Sequence, residues 1–301
     1  IFAEIFNMQR LAFILIYPLL LGLSKLPFWL FYRVSDCCYF IVYYIIRYRR
    51  NVVDSNLKRV FPNKTNSEIA KIRKGFYKHM CDMFLEMIKT LSISDKELKK
   101  RFVYTNLEAL RELENLNKGN IIMCAHYASY EWILSAAFYN FKYKTYGIYK
   151  KIKNPYFDKL VKDIRSRYDS TIITTLETPK TMMRNKAKGT LASYGMIADQ
   201  APKGGKTDYW REFMGINTPV FVGSEVLAKR LDLAVTYLHI EKVKRGHYEA
   251  TFKTITTEPK TVENYKITDA YFNYLEDQIR EKPEHYLWTH KRWKHKRPVN
   301  S

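Results

Sequence analysis

The sequence predicts an α/β fold, a mixed central sheet flanked by helices, entered through an apolar N-terminal segment that forms a membrane anchor helix or hairpin. Three observations carry that reading. From about residue 102 onward, short apolar runs alternate with helical stretches, the pattern of strands and helices sharing one sheet. Residues 51–101 place apolar side chains at intervals of three and four, which is helix period. The first 46 residues hold two apolar runs with very few charges.

The first run, LAFILIYPLLLGLSKLPFWLFY, spans Leu11 to Tyr32 with Lys25 as its only charge, and CCYFIVYYII follows, ending at Ile46. A bilayer span needs roughly 20 mainly apolar residues, and shorter runs also serve as buried or re-entrant helices. Trp29, Tyr17 and Tyr32 suit headgroup depth. No basic region precedes Arg10 and no small-residue cleavage site follows the run, which disfavours a cleaved signal peptide. Arg47, Arg49, Arg50, Lys58 and Arg59 come immediately after the apolar segment and only Arg10 before it, so the positive-inside rule places the following domain in the cytoplasm. The chain opens on Ile1 rather than Met, and the numbering is read as that of a trimmed protein.

The 301 residues suffice for one large α/β domain with an appendage. Residues 1–46 form the anchor, 47–101 an amphipathic helical lead-in with Ser67 as helix cap, and 102–301 the α/β domain ending in a basic, aromatic tail. Lys and Arg number 51 against 30 Asp and Glu, a formal charge of +21, which points to polyanionic partners or an anionic membrane surface. Zinc-finger, helix-turn-helix and RNP patterns are missing, which argues against nucleic acid as the partner and leaves a basic nucleic-acid-binding protein as the remote alternative. Cys37, Cys38, Cys81 and Cys124 show no C-x-x-C spacing and read as reduced thiols.

The predicted strands are NIIMCA, KTYGIY, STIITT, GMIAD, LAVTYLHI and YEATFKTI, and the last helix runs over about 268–282. Sheets of this kind deliver functional groups at the carboxyl ends of strands. His126 sits where NIIMCA ends, and Glu131 falls a turn into the helical-looking YASYEWILSAAFY. A histidine supported by a carboxylate is a general base for a hydroxyl; the same two residues also suit a packed, satisfied histidine. No protein nucleophile fits, since Cys124 lies within the apolar run and Ser129 lacks a G-x-S-x-G elbow. The attacking hydroxyl would then belong to the substrate.

Residues 142–167 carry nine Lys or Arg against two Asp. Lys150 and Lys151 follow a strand-like run and face the same edge, and Arg165 and Arg167 close the next helix, where Arg suits bidentate anion contact. In MIADQAPKGG, Asp199 and Gln200 mark a third strand end and Lys203 sits in a glycine-containing loop that lets backbone amides approach an anion. His285, His290 and His295 lack accompanying acids or cysteines at ligand spacing, so no metal site is expected. Lys291, Arg292, Lys294, Lys296 and Arg297, with Trp288 and Trp293, read instead as headgroup contacts.

Laid in order, these pieces resemble the late acyltransferases of lipid A biosynthesis, the bacterial lauroyl and myristoyl transferase family. The resemblance runs through NVVDSNLKRVFPNKTNSEIAKIRKGFYKHMCDM, the His-x4-acid motif of His126 and Glu131, GIYKKIKNPYFDKLVKDIRSR, MIADQAPKGG, FMGINTPVFVGSEVLAKRLDLAV and PEHYLWTHKRWK. The His-x4-acid element is shared with glycerolipid acyltransferases; the closing element and the FMG-x5-F-x-G segment are more specific. The resemblance implies a glycerolipid-acyltransferase-like fold and a bacterial inner-membrane enzyme with its catalytic domain on the cytoplasmic face. It would move an acyl chain from an acyl carrier protein thioester to a hydroxyl of a lipid A precursor without any further cofactor. It also implies His126 as base with Glu131 as its partner, and substrate recognition by Lys150, Arg165 and Arg167, with backbone amides or one of the two arginines stabilising the oxyanion. Lys150 stands where the family commonly has Arg. A lysophospholipid, phosphoglycolipid or aminolipid acceptor is the nearest alternative. The proline-glutamate-glycine-threonine block of glycerolipid enzymes is absent, and MIADQAPKGG stands in its place.

Overall fold

The computed structural model describes residues 2–139, 141–202, 207 and 209–295. The chain begins with α1 (Phe2–Lys25), which stops before Pro27, and α2 (Phe28–Phe40), which tightens into a π-helical turn, Ile41–Ile46. The left-handed Arg47 ends that turn. α3 (Arg50–Val60) and α4 (Asn66–Lys89) follow. The cap of α4 is Thr65 rather than the expected Ser67: its side chain accepts from the Glu68 amide while Glu68 reaches back to the Thr65 amide. Such a capping box is worth about 1 kcal/mol, and it sets the helix start two residues earlier.

The sheet region opens with α5 (Asp95–Arg101), β1 (Phe102–Tyr104), α6 (Glu108–Asn115) and β2 (Asn120–Cys124). A 3-10 run, Tyr130–Tyr139, leads to β3 (Lys144–Tyr149), α7 (Pro155–Ser166), β4 (Thr171–Thr174), α8 (Thr178–Ala187) and β5 (Ala192–Ile197). A small hairpin, β6 (Trp210–Phe213) and β7 (Ile216–Pro219), precedes α9 (Gly223–Leu231). The chain then forms β8 (Ala234–Lys244), β9 (His247–Thr256), α10 (Lys266–Glu281) and a last 3-10 turn, Pro283–His285. All six expected strands are present; β1 and the β6–β7 hairpin were not anticipated.

Seven strands make the main sheet in the order β1-β9-β8-β2-β5-β3-β4. Every pairing is parallel except β8 with β9, so the sheet is mixed, as the sequence predicts. β2 lies at its centre and is buried along its whole length, which explains its unbroken apolar run.

The two apolar runs behave differently. Met8–Lys25 of α1 is the one segment among the described residues long and apolar enough to cross a membrane, and 6% of it is buried in the fold. α2 is shorter and docks on α4 and the β8–β9 hairpin, in part through polar contacts. Ser35 Oγ donates to Asp82 Oδ1 (2.7 Å), and Tyr32 and Tyr248 hydroxyls donate to the two oxygens of Glu86 (2.9 and 2.8 Å). Arg245 spans the junction, 2.7 Å from Asp36 on α2 and 2.7 Å from Asp82 on α4. Burial pushes the Glu86 carboxyl above its ordinary range, against the lowering effect of Lys242 and the two hydroxyls. Gly246, left-handed at φ 71, turns β8 into β9, and the Tyr32 hydroxyl occupies the space a Cβ would need.

Replacing Arg245 by Met leaves the buried Asp82 with Lys242, 3.5 Å away, as its only cationic partner. Stability should fall by roughly 3 kcal/mol, the cost of breaking a buried ion pair from one side, read as a lower denaturant midpoint; an unchanged midpoint would show that α2 docks by apolar packing alone.

Candidate active site

Two sequence segments of the same form end neighbouring strands: Met123-Cys124-Ala125-His126 and Met196-Ile197-Ala198-Asp199. β2 and β5 pair in parallel with Met123 opposite Met196 and Cys124 opposite Ile197. Two residues further along each strand, the register puts His126 beside Asp199. His126 Nδ1 lies 2.7 Å from Asp199 Oδ1, and the His126 amide donates to the same oxygen at 3.3 Å. With Nδ1–H donating to the carboxylate, Nε2 holds a lone pair, and the Gln200 amide nitrogen approaches it at 3.3 Å. The Tyr130 ring packs edge-on against the imidazole, centroids 5.0 Å apart.

The hydrogen-bond partner of His126 is thus Asp199, a correction to the expected pairing with Glu131. Glu131 is held by Arg165 in a two-pronged ion pair, Nη2 to Oε1 at 2.7 Å and Nε to Oε2 at 3.0 Å. Its carboxylate acts on His126 through space, favouring the protonated ring. The other named residues divide. Asp199 and Gln200 join the site, but on His126 itself. Lys150 is exposed on the same edge of the sheet, two strands away. Arg167 turns away, donating to the Thr90 and Ile93 carbonyls and pairing with Asp95, so it braces the end of α4. Lys203 lies outside the described residues.

Electrostatics in the pair oppose burial and win. Burial disfavours the imidazolium, but the Asp199 charge and hydrogen bond, helped by Glu131, lift His126 above its ordinary 6.5; Arg165 pulls the other way. Asp199 shows the mirror image: burial raises its carboxyl, while His126 and then Arg292 hold it below the usual range. Cys124 donates to the Met196 carbonyl at 3.5 Å and is fully buried, and burial pushes its thiol far up, which makes it inert as a nucleophile.

The closing segment, read from sequence as a headgroup-facing surface, divides: Trp288, Arg292 and Trp293 are interior, Lys291 and Lys294 are exposed, and Lys296 and Arg297 lie outside the described residues. Trp288 and Arg292 are 0% exposed and Trp293 is 5%. Residues 285–287 pair with the His126 loop: Ala128 N donates to His285 O (3.0 Å), Leu287 N donates to His126 O (3.1 Å), and Tyr127 bridges Tyr286 antiparallel. Ala128 takes the left-handed conformation at φ 50 to make that turn. α3 holds the segment from outside, with Asn56 donating to the Trp288 and His290 carbonyls and Arg49 to that of Thr289. The signal available in the sequence was the density of aromatic residues in PEHYLWTHKRW, which calls for burial more than for a wet surface.

A histidine oriented by a buried carboxylate at parallel strand ends is an arrangement able to take a proton from a hydroxyl. The sequence model of the bacterial lipid A biosynthesis acyltransferases matches residues 2–295. The chain belongs to that family and is an acyltransferase. No curated protein matches it.

The sign of the linkage follows from the shifts. His126, raised in the fold, adds stability that is fully present below pH 6.5 and is lost as pH rises through its folded value. Asp199, depressed in the fold, adds stability that is present above pH 3.8 and is lost as pH falls through its own. An imidazole NMR titration should give His126 a midpoint above 6.5 in the native protein. In Asp199→Asn the midpoint should drop, because burial remains while the counter-charge is gone; an unmoved midpoint would break the assignment of the pair.

Proposed function

We propose that this acyltransferase moves a fatty acyl chain from an acyl carrier protein thioester to a hydroxyl of a lipid A precursor, with His126 as general base. The observation that carries the reading is the His126–Asp199 pair, which leaves the Nε2 lone pair covered, among the described residues, by the Gln200 side chain. An incoming hydroxyl replaces the Gln200 amide and donates to Nε2. As its oxygen attacks the thioester carbonyl carbon, the proton passes to His126 and the carbonyl pair moves onto oxygen. Collapse reforms the carbonyl and breaks the C–S bond, and the imidazolium returns its proton to the departing thiolate. Asp199 stabilises the transient imidazolium without taking the proton.

Glu131 and Arg165 form the second layer of the site. Their ion pair joins the 3-10 run after His126 to the end of α7, and Glu131 adds to the field that raises the base. Substrate phosphates are read by exposed cations on the same sheet edge, Lys150 and Lys151 among them. The exposed apolar face of α1, with Leu11, Leu15 and Leu19 outward, keeps the enzyme at a bilayer, and the exposed Arg47 and Lys58 beyond it support an inner-membrane location with the catalytic domain on the cytoplasmic face. The reaction needs no cofactor beyond the thioester.

In detergent, with acyl carrier protein thioester and a lipid A precursor, His126→Ala should lower turnover by at least about 100-fold; near-native turnover would end the base assignment. For the native enzyme kcat/KM should climb with pH through a limb lying above 6.5, since only the neutral imidazole accepts the proton, and Asp199→Asn should move that limb down. Lipid mass spectrometry of cells with and without the protein tests the acceptor: acylated phospholipid in place of acylated lipid A would replace the precursor named above.

A further inference from the structure

The two arginines expected to stabilise the oxyanion are engaged elsewhere, Arg165 by Glu131 and Arg167 by the end of α4. The cavity beside His126 offers another group. It has room for about one water-sized group, some 10 Å³, and is lined by His126, Ala128 and Tyr130 together with Phe76, His79, Met80 and Met83. The latter four recur at helical spacing on one face of α4, so the helix presents a sulfur-rich apolar wall with a single imidazole in it.

His79 is buried, at 5% exposure, and its tautomer follows from its neighbours. Lys242 Nζ lies 3.2 Å from Nδ1; an ammonium only donates, so Nδ1 accepts and the ring proton sits on Nε2. That Nε2 has no hydrogen-bond partner. The Ala128 carbonyl is near enough to favour the ring proton slightly, yet it is not in bonding geometry with it. The His285 ring packs at 4.7 Å, also without a bond to His79. Burial and the Lys242 charge hold the ring neutral. A buried, unpartnered N–H carries a desolvation cost, which an oxygen seated in the cavity would relieve.

We infer that His79 is a second catalytic residue, whose Nε2–H donates to the thioester oxygen as it becomes the oxyanion while Lys242 polarises the ring from the far side. This rests on the acyl-transfer reading above. The carbonyl enters the cavity between the two histidines. His126 takes the hydroxyl proton, and the electron pair displaced onto oxygen meets the His79 donor. The proton on His79 stays there through the step.

The test compares two substitutions in the full-length enzyme. Gln in place of His79 puts its amide nitrogen where Nε2 stands; Asn puts its carbonyl where Nδ1 stands, keeping the Lys242 contact but losing the donor. The expected result is His79→Asn down about 100-fold in kcat with KM nearly unchanged, and His79→Gln within about 10-fold of native, at similar melting temperatures. A purely structural role predicts the reverse order, and that result, or near-native turnover in both variants, overturns the inference while leaving the acyl-transfer reading in place. A native enzyme that transfers no acyl chain overturns both. If the variants fold poorly, the native protein labelled with 15N-histidine and bound to acyl carrier protein carrying its chain through an amide answers instead. A downfield shift of the His79 Nε2 proton is expected, and an unmoved signal ends the proposal.

Discussion

The parallel register of β2 against β5 is the constraint on which the rest of the site depends. Slipping that pairing by one residue would turn every side chain of a fully buried strand to the wrong face and separate His126 from Asp199. Asp199 is 2% exposed, and a carboxylate that deep is tolerated only when its charge is matched and its oxygens are bonded. His126 supplies two of those bonds, one from the ring and one from its own amide. The His126–Asp199 pair is therefore also a folding requirement of the sheet centre.

The closing segment explains how the His126 loop keeps its shape. Residues 126–128 depart from the strand through a left-handed alanine, a conformation that costs about 1–2 kcal/mol outside glycine. Two backbone hydrogen bonds to residues 285 and 287 hold it there. Those residues are in turn fastened by α3 and by the buried Trp288 and Trp293, whose rings stack at 6.0 Å. Arg292 completes this layer beneath Asp199: its guanidinium packs on Phe213 and Phe272 and donates to the Pro219 carbonyl at 2.9 Å. Three distant parts of the chain thus meet behind one imidazole.

Division of charge follows the same logic. The excess of +21 lies largely on exposed Lys and Arg, where solvent screens it, while partly buried cations are matched to specific partners. Arg165 faces Glu131, Arg245 faces Asp36 and Asp82, and Lys242 lies between Asp82 and His79. A count of basic residues cannot separate these roles, because screening and burial are properties of position.

Strand and helix periods, the apolar N-terminus, the strand-end placement of His126 and the family resemblance were legible in the sequence, since each depends on local spacing or on a contiguous motif. The partner of His126 was not, although the matching MCAH and MIAD segments carry it once strand order is known. The same limit applies to the closing segment, whose aromatics pointed to burial and whose lysines pointed to solvent. Glu131 stands close to His126 in the chain and Asp199 far from it, yet the sheet brings the distant acid to the ring and hands the near one to Arg165. Composition and periodicity determined which elements form; strand pairing, which has no local signature, decided which acid meets the base.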